Sequence, residues 1–217
     1  MKVESVSLVP TLPGRYYVDP AIYAREQERI FGRLWTCIGL AQSLAEPGQY
    51  VTTELAGEPV LVIRGHDGAL RAFLNVCRHR GARLCTESRG CLEARVIQCP
   101  YHAWSYALDG RLIGAPNMRD VPEFSPERYG LVPLSLAVWE GMIWVNLSND
   151  PPPVESQIVP RIIERLEDRA IFDRYGVGQL RIGATLTYDV QANWKLIVEN
   201  FMECYHCAVV HPELSRL

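Results

Sequence analysis

Across the middle of the chain, from about Trp35 to Leu147, apolar and polar residues alternate over short runs broken by turn residues. QYVTTELA, PVLVIRG, LRAFLNV, ARVIQ, WSYA, RLIG, LSLAVW and MIWVNL each read as a strand. His66-Asp67-Gly68-Ala69 and Leu108-Asp109-Gly110 mark two hairpin turns between neighbouring runs. The pattern predicts a compact antiparallel β domain with long loops. Before it, DPAIYAREQERIFGRL has one modest apolar face of Tyr23, Ile30, Phe31 and Leu34. It predicts a helix capped by Asp19, with Pro20 in the first turn.

After the β region, Asn149-Asp150-Pro151-Pro152-Pro153 reads as a linker, because a triple proline fits neither a helix interior nor a central strand. Beyond it the pattern predicts a helix in the 160s with Pro160 near its start, then a long strand over GQLRIGATLTYDV. NWKLIVENFMECYH predicts a further helix, its buried face formed by Trp194, Ile197, Val198, Phe201 and Tyr205. The fold class is α+β. The predicted organisation is a helical segment over 1–40, a β domain over 41–150, and the start of a second domain over 151–217.

Composition narrows the function. The chain has 217 residues, 48% of them hydrophobic, enough to bury a substantial core. A net charge of -3 gives no basic footprint for nucleic acid. No apolar run is long enough to cross a membrane, and the first ten residues lack a signal-peptide pattern, so a cytoplasmic location is expected. Seven cysteines in a reducing compartment point to metal ligation or inert thiols rather than disulfides. His66 reads as an ordinary loop residue.

Two groups of residues carry chemistry. The first is Cys77-Arg78-His79 and Cys99-Pro100-Tyr101-His102, each following a strand. Two thiolates and two imidazoles suit a Cys2His2 zinc site or a [2Fe-2S] cluster with two Cys on one iron and two His on the other. Zinc modules keep like ligands together. Here each loop supplies one of each kind, which favours the divided cluster. The intervening Cys85 and Cys91 read as residues with no ligand role.

The second group is Glu203, His206 and His211. On a continuing helix Glu203 and His206 would share a face, and the helix must end or bend before His211. Two His and a carboxylate form the facial set of a non-haem Fe(II) site. Cys204 and Cys207 leave a zinc or redox reading open, although on a helix they would point ~100° away from Glu203 and His206.

The strings NVCRHRGARLC and QCPYHAWSYALDGRL resemble the Rieske motif of ring-hydroxylating oxygenase α subunits. NWKLIVEN with ECYHCAVVHPEL is similar to the mononuclear-iron motif of the same family, most closely its glycine-betaine and carnitine monooxygenases. The resemblance implies a Rieske domain followed by the opening of a helix-grip catalytic domain. It implies a [2Fe-2S] cluster on Cys77, His79, Cys99 and His102, and a mononuclear Fe(II) on His206 and His211. Glu203 matches the acidic residue that links the iron site to a cluster histidine across a subunit boundary. Ala82 and Tyr101 stand where respiratory Rieske proteins have a disulfide, which implies the low-potential type. Arg78, Arg80 and Arg83 are expected to order the loop or face an acidic partner, and Trp104 to pack over the cluster.

The implied activity is O2-dependent hydroxylation or N-demethylation of a small-molecule substrate. Electrons would come from NAD(P)H through a reductase or ferredoxin, and the implied assembly is a homotrimer. An electron-transfer module without oxygenase activity and a zinc-binding interaction protein are the alternatives. The family's third iron ligand, a downstream carboxylate, has no counterpart up to Leu217. The chain is therefore expected to accept electrons without turning over by itself.

Overall fold

The computed structural model describes residues 10–118, 120–166, 174–203 and 205–213. They fall into two compact units, one spanning Gln27–Gly183 and the other combining Met1–Glu26 with Ala184–Leu217.

The larger unit is built on ten strands. They are β1 (Thr36–Leu40), β2 (Gln49–Leu55), β3 (Glu58–Arg64), β4 (Leu70–Leu74), β5 (Arg89–Cys91), β6 (Ile97–Gln98), β7 (Ser105–Tyr106), β8 (Leu112–Gly114), β9 (Pro133–Trp139) and β10 (Met142–Asn146). Seven form one antiparallel sheet in the order β1-β10-β9-β4-β3-β2-β5, and β6-β7-β8 form a second, smaller sheet. Two tight turns set the register. Ala56-Gly57 joins β2 to β3 and Glu140-Gly141 joins β9 to β10, all four residues at positive φ. That is the backbone twist a two-residue hairpin needs. The hairpin from β3 to β4 is braced by Asp67, whose Oδ1 accepts the Ala69 N–H at 3.1 Å.

Strand β3 is buried on both faces and divides two cores. Leu61 and Ile63 point into a cluster with Cys77, Cys99, Trp104, Tyr106 and Leu112. Val60 and Val62 point the other way, onto Leu44, Leu55, Ile143 and Val145. The first core lines the space between the two sheets, so the segments carrying the paired Cys and His residues are packed from below by apolar side chains.

Several expectations are revised. β1 falls inside the segment read as helical over 1–40, yet it pairs with β10 as a sheet edge. The helix read over Asp19–Leu34 is an α-helix only over Pro20–Glu26, followed by a π-turn at Gln27–Phe31. Asp19 does cap it, accepting the Ala21 N–H at 2.8 Å. ARVIQ shortens to Ile97–Gln98 because Arg95 sits at φ 51° in a turn. The proline linker is tied down. The Trp35 indole donates to the Pro152 carbonyl at 2.7 Å, and Val154 is buried beside Trp35 and Trp139. The following helix begins at Val154, so Pro160 lies in its interior rather than at its start. There it has no N–H for the Ser156 carbonyl. The described residues of 154–183 belong with the β unit.

The largest revision concerns GQLRIGATLTYDV. Its alternation is intact, but residues 180–191 form no strand. No ladder partner lies alongside it among the described residues, and Leu186 and Tyr188 are 76% and 77% exposed. A period of two specifies which side chains share a face. It does not supply the neighbour whose backbone completes the ladder.

In the smaller unit, helix Trp194–Met202 is capped by Asn193, whose Oδ1 accepts the Lys195 N–H at 3.1 Å. Asn193 Nδ2 also donates to the Tyr17 carbonyl at 3.1 Å. Lys195 Nζ donates to both oxygens of Glu26, at 2.7 and 2.8 Å, and the Trp194 indole adds a third donor at 2.9 Å. Tyr17 Oη donates to Glu199 at 2.7 Å. A buried ammonium and carboxylate thus neutralise each other and pin the N-terminal helix to the helix that leads to His206. Among the described residues, no helix is long and apolar enough to cross a membrane.

Candidate metal centres

The two Cys-His loops share one backbone pattern. In the first, Cys77 N donates to Ala82 O at 2.8 Å and Gly81 N donates to Cys77 O at 3.0 Å. In the second, Cys99 N donates to Trp104 O at 2.8 Å and Ala103 N donates to Cys99 O at 3.1 Å. Both turns need a left-handed residue four places after the cysteine: Gly81 at φ 72° and Ala103 at φ 57°. Glycine adopts this conformation freely, whereas alanine does so at a cost.

These loops bring the two histidines together and bury both cysteines in one core. Cys77 and Cys99 are 2% and 3% exposed. The rings of His79 and His102 lie 4.7 Å apart at 71°. Trp104 stacks on His79 at 4.8 Å and 6°, backed by Phe124 and Tyr129, while the exposed Tyr101 covers His102. His79 Nδ1 is buried with no hydrogen-bond partner. Burial, with His102 and Arg80 nearby, pulls the His79 pKa below the usual histidine value and favours the neutral imidazole. A buried, unpartnered ring nitrogen beside two buried thiols fits a metal ligand.

Among the described residues, no three His, Cys, Asp or Glu side chains converge as ligands of one ion. One Cys and one His from each loop is the donor set that a two-iron centre with divided ligands takes.

Two supporting residues lie outside the Cys-His spacing. Tyr106 is fully buried. Its hydroxyl accepts the Arg78 N–H at 3.0 Å and lies 3.3 Å from Cys77 Sγ. Burial first, and the Cys77 contact second, raise the Tyr106 pKa, so the phenol is held neutral. Asn75 is the second, also fully buried at the end of β4. Cys85 lies in the same core as Cys77 and Cys99. Burial pushes its thiol pKa up to about 11, which keeps it protonated. Cys91 is exposed on β5.

The second group is arranged differently from the helix expected. The helix ends at Met202, and Glu203 is its extended C-cap. His206 then precedes a single turn, Cys207–Val210, and His211 follows it. The break lets the two rings approach to 5.7 Å at 73°. The Glu203 carboxylate bonds His206 Nδ1 and also accepts the Tyr205 N–H at 2.7 Å. These bonds hold the Glu203 pKa below the usual carboxylate range, the His206 contact contributing most. With Nδ1 taken, His206 has Nε2 free for a metal, the usual division of labour when a carboxylate orients an imidazole ligand. Glu203 thus sits behind an imidazole rather than beside two of them. Cys204 lies outside the described residues.

Residues 34–125 match the Rieske [2Fe-2S] domain, and residues 177–217 match the ring-hydroxylating alpha subunit catalytic domain. The carnitine monooxygenase oxygenase subunit of Acinetobacter pittii is 38% identical over 202 residues, covering 93% of this chain and 53% of that protein. The glycine betaine monooxygenase oxygenase subunit of Chromohalobacter salexigens is 38% identical over 205 residues, covering 94% and 44%. The solved structure of a quaternary ammonium Rieske monooxygenase in complex with L-carnitine superposes with a TM-score of 0.81 at 35% identity, covering 94% of this chain and 56% of that one. Naphthalene 1,2-dioxygenase from Rhodococcus sp. gives 0.78 at 30% identity, covering 91% and 45%. The chain spans about half the length of the curated relatives it matches. Over these two stretches the chain carries a Rieske [2Fe-2S] domain and part of a ring-hydroxylating α-subunit catalytic domain.

Proposed function

We propose that this chain forms the electron-accepting domain and the opening of the iron site of an oxygenase large subunit. Cys77 and Cys99 hold one iron of the [2Fe-2S] cluster, and His79 and His102 hold the other. His206 and His211 hold a mononuclear Fe(II) through Nε2. When bound, the cluster supplies one-electron transfer and the single iron supplies O2 activation for hydroxylation or N-demethylation. The chain's residues provide the surroundings. Trp104 keeps water from His79, Tyr106 donates to the Cys77 sulfur, and Glu203 orients His206. The free side of Glu203 is available to a cluster histidine of a neighbouring subunit in a homotrimer. Electrons come from NAD(P)H through a reductase or ferredoxin.

The observation that carries this reading is the buried, unpartnered Nδ1 of His79, beside His102 and two buried cysteines from separate loops. Anaerobic purification with iron and acid-labile sulfide analysis tests it. The expected result is about two irons and two sulfides in the cluster per chain, with a Rieske EPR signal on reduction. Zinc without sulfide would overturn it. Because two of the relatives named above are a carnitine and a glycine betaine monooxygenase, those two compounds are the first to assay with reductase, NAD(P)H and Fe(II). O2-dependent product from a protein containing this chain supports the oxygenase reading. Cluster reduction without product, in a protein carrying the whole catalytic domain, would establish the electron-transfer alternative.

A further inference from the structure

Asn75 is hydrogen-bonded through both its backbone and its side-chain amide. Its backbone N–H donates to Pro59 O on β3 at 2.8 Å, and its carbonyl accepts the Leu84 N–H at 3.4 Å. Its side-chain Nδ2 donates to Cys85 O at 2.7 Å, and its Oδ1 accepts the Cys85 N–H at 2.9 Å. The amide therefore pairs with Cys85 in both directions, as a backbone unit does in an antiparallel ladder. Above it, Val76 bridges Arg83 and Cys77 N bonds Ala82 O. These contacts turn residues 75–85 into a three-rung clip, with Cys77 and His79 near its tip and Asn75 at its base.

A fully buried amide is tolerated only when its donors and acceptor are met. A polar residue at this depth is better explained by what it orders than by burial alone. The second Cys-His loop rests on β6 and β7 of the smaller sheet, whereas the clip continues from β4 of the larger one. Bringing four ligands to fixed separations requires the clip to be held in register with the larger sheet. Asn75 is the residue that joins its two ends.

Resting on the proposed cluster assignment, we infer that Asn75 is a positioning residue of the metal centre. Its side-chain amide sets the loop that carries Cys77 and His79. Its side-chain hydrogen bonds go to the Cys85 backbone, and through that backbone it acts on the loop.

The test uses the full chain, reconstituted anaerobically with iron and sulfide. Asn75→Asp keeps the shape and the acceptor but has no donor for Cys85 O. Val145→Ala serves as a control, since Val145 is fully buried in the other core. Cluster retention against a chelator is expected to fall ~10-fold in N75D, with shifted EPR g-values in the cluster that remains. V145A should lower the unfolding temperature without moving the g-values. If N75D does not fold, Asn75→Ser, which offers one hydrogen bond in place of two, is judged by the same readings. Unchanged g-values and retention in the folded variant would overturn the inference, as would losses that merely track stability in both cores. A wild-type chain that takes up no cluster would overturn the functional reading instead, so the two failures are distinct.

Discussion

The hydroxyl of Tyr106 and the sulfur of Cys77 lie 3.3 Å apart in a buried site, and the same hydroxyl accepts the N–H of Arg78. Either atom can donate in this contact, but once Cys77 is an iron-bound thiolate the phenol is the one with a proton to give. A hydrogen bond to a sulfur ligand stabilises the reduced, more negative cluster. Tyr106→Phe is therefore expected to lower the midpoint potential. If the bond is worth about 1.4 kcal/mol more in the reduced state, the fall is about 60 mV for one electron. Protein-film voltammetry measures it; an unchanged or higher potential would contradict this role.

Ala103 gives a stability prediction. It holds the left-handed position that Gly81 holds in the matching loop. Ala103→Gly removes a side-chain clash there and should stabilise the chain by about 0.5–1 kcal/mol. Chemical denaturation of the cluster-loaded protein reads the change. Destabilisation would show that the backbone freedom gained by the unfolded chain outweighs the relief.

Glu203 should affect the mononuclear site alone. In Glu203→Gln an amide replaces the carboxylate on His206 Nδ1. Fe(II) affinity at His206 and His211 should fall about 10-fold, with the Rieske EPR signal unchanged. An Fe(II) titration followed by a competing chelator gives the affinity. A lost Rieske signal would mean that Glu203 supports the fold more widely.

Acid should loosen the smaller unit through Glu26. Burial by itself would raise its pKa, but the hydrogen bonds from Lys195 and Trp194 outweigh burial and the net shift is downward. A carboxylate with a lowered folded pKa contributes its full stability above the ordinary carboxylate value. That contribution is lost as pH falls through the lower, folded value. Glu26→Gln should abolish this part of the acid dependence. It should also cost about 3 kcal/mol at neutral pH, because Lys195 is left buried without its counter-charge. Denaturant unfolding of both proteins between neutral pH and pH 3 provides the comparison.

Much of this was legible in the sequence because alternating strands and Cys-His loops are local signals. Leu61 and Ile63 face one core while Val60 and Val62 face the other, as a buried central strand requires. Of the four residues in the Cys77, His79, Cys99 and His102 spacing, the structure brings the two histidine rings together and buries both cysteines in one core. What escaped depended on partners distant in the chain. Residues 180–191 carry a strand's pattern without a strand's neighbour. Glu203 and His206 were placed on one helix, but the helix stops at Met202 and the carboxylate reaches His206 across a turn. Pro160 looked like a helix start, yet the preceding turn forms from Val154. Asn75 and Tyr106 act through contacts made 10 and 29 residues away, which no local pattern reveals.

One consequence follows from the split between the two sheets. The Cys77 loop leaves β4 of the seven-stranded sheet, while the Cys99 loop is held by β6 and β7 of the three-stranded one. A centre ligated by both loops is then a cross-link as well as an electron carrier. Like a disulfide it would close a loop of chain, and its binding energy would become folding energy. Loading the metal and fastening the small sheet would be a single event, and oxidative loss of the cluster would release a flap as well as extinguish a redox centre.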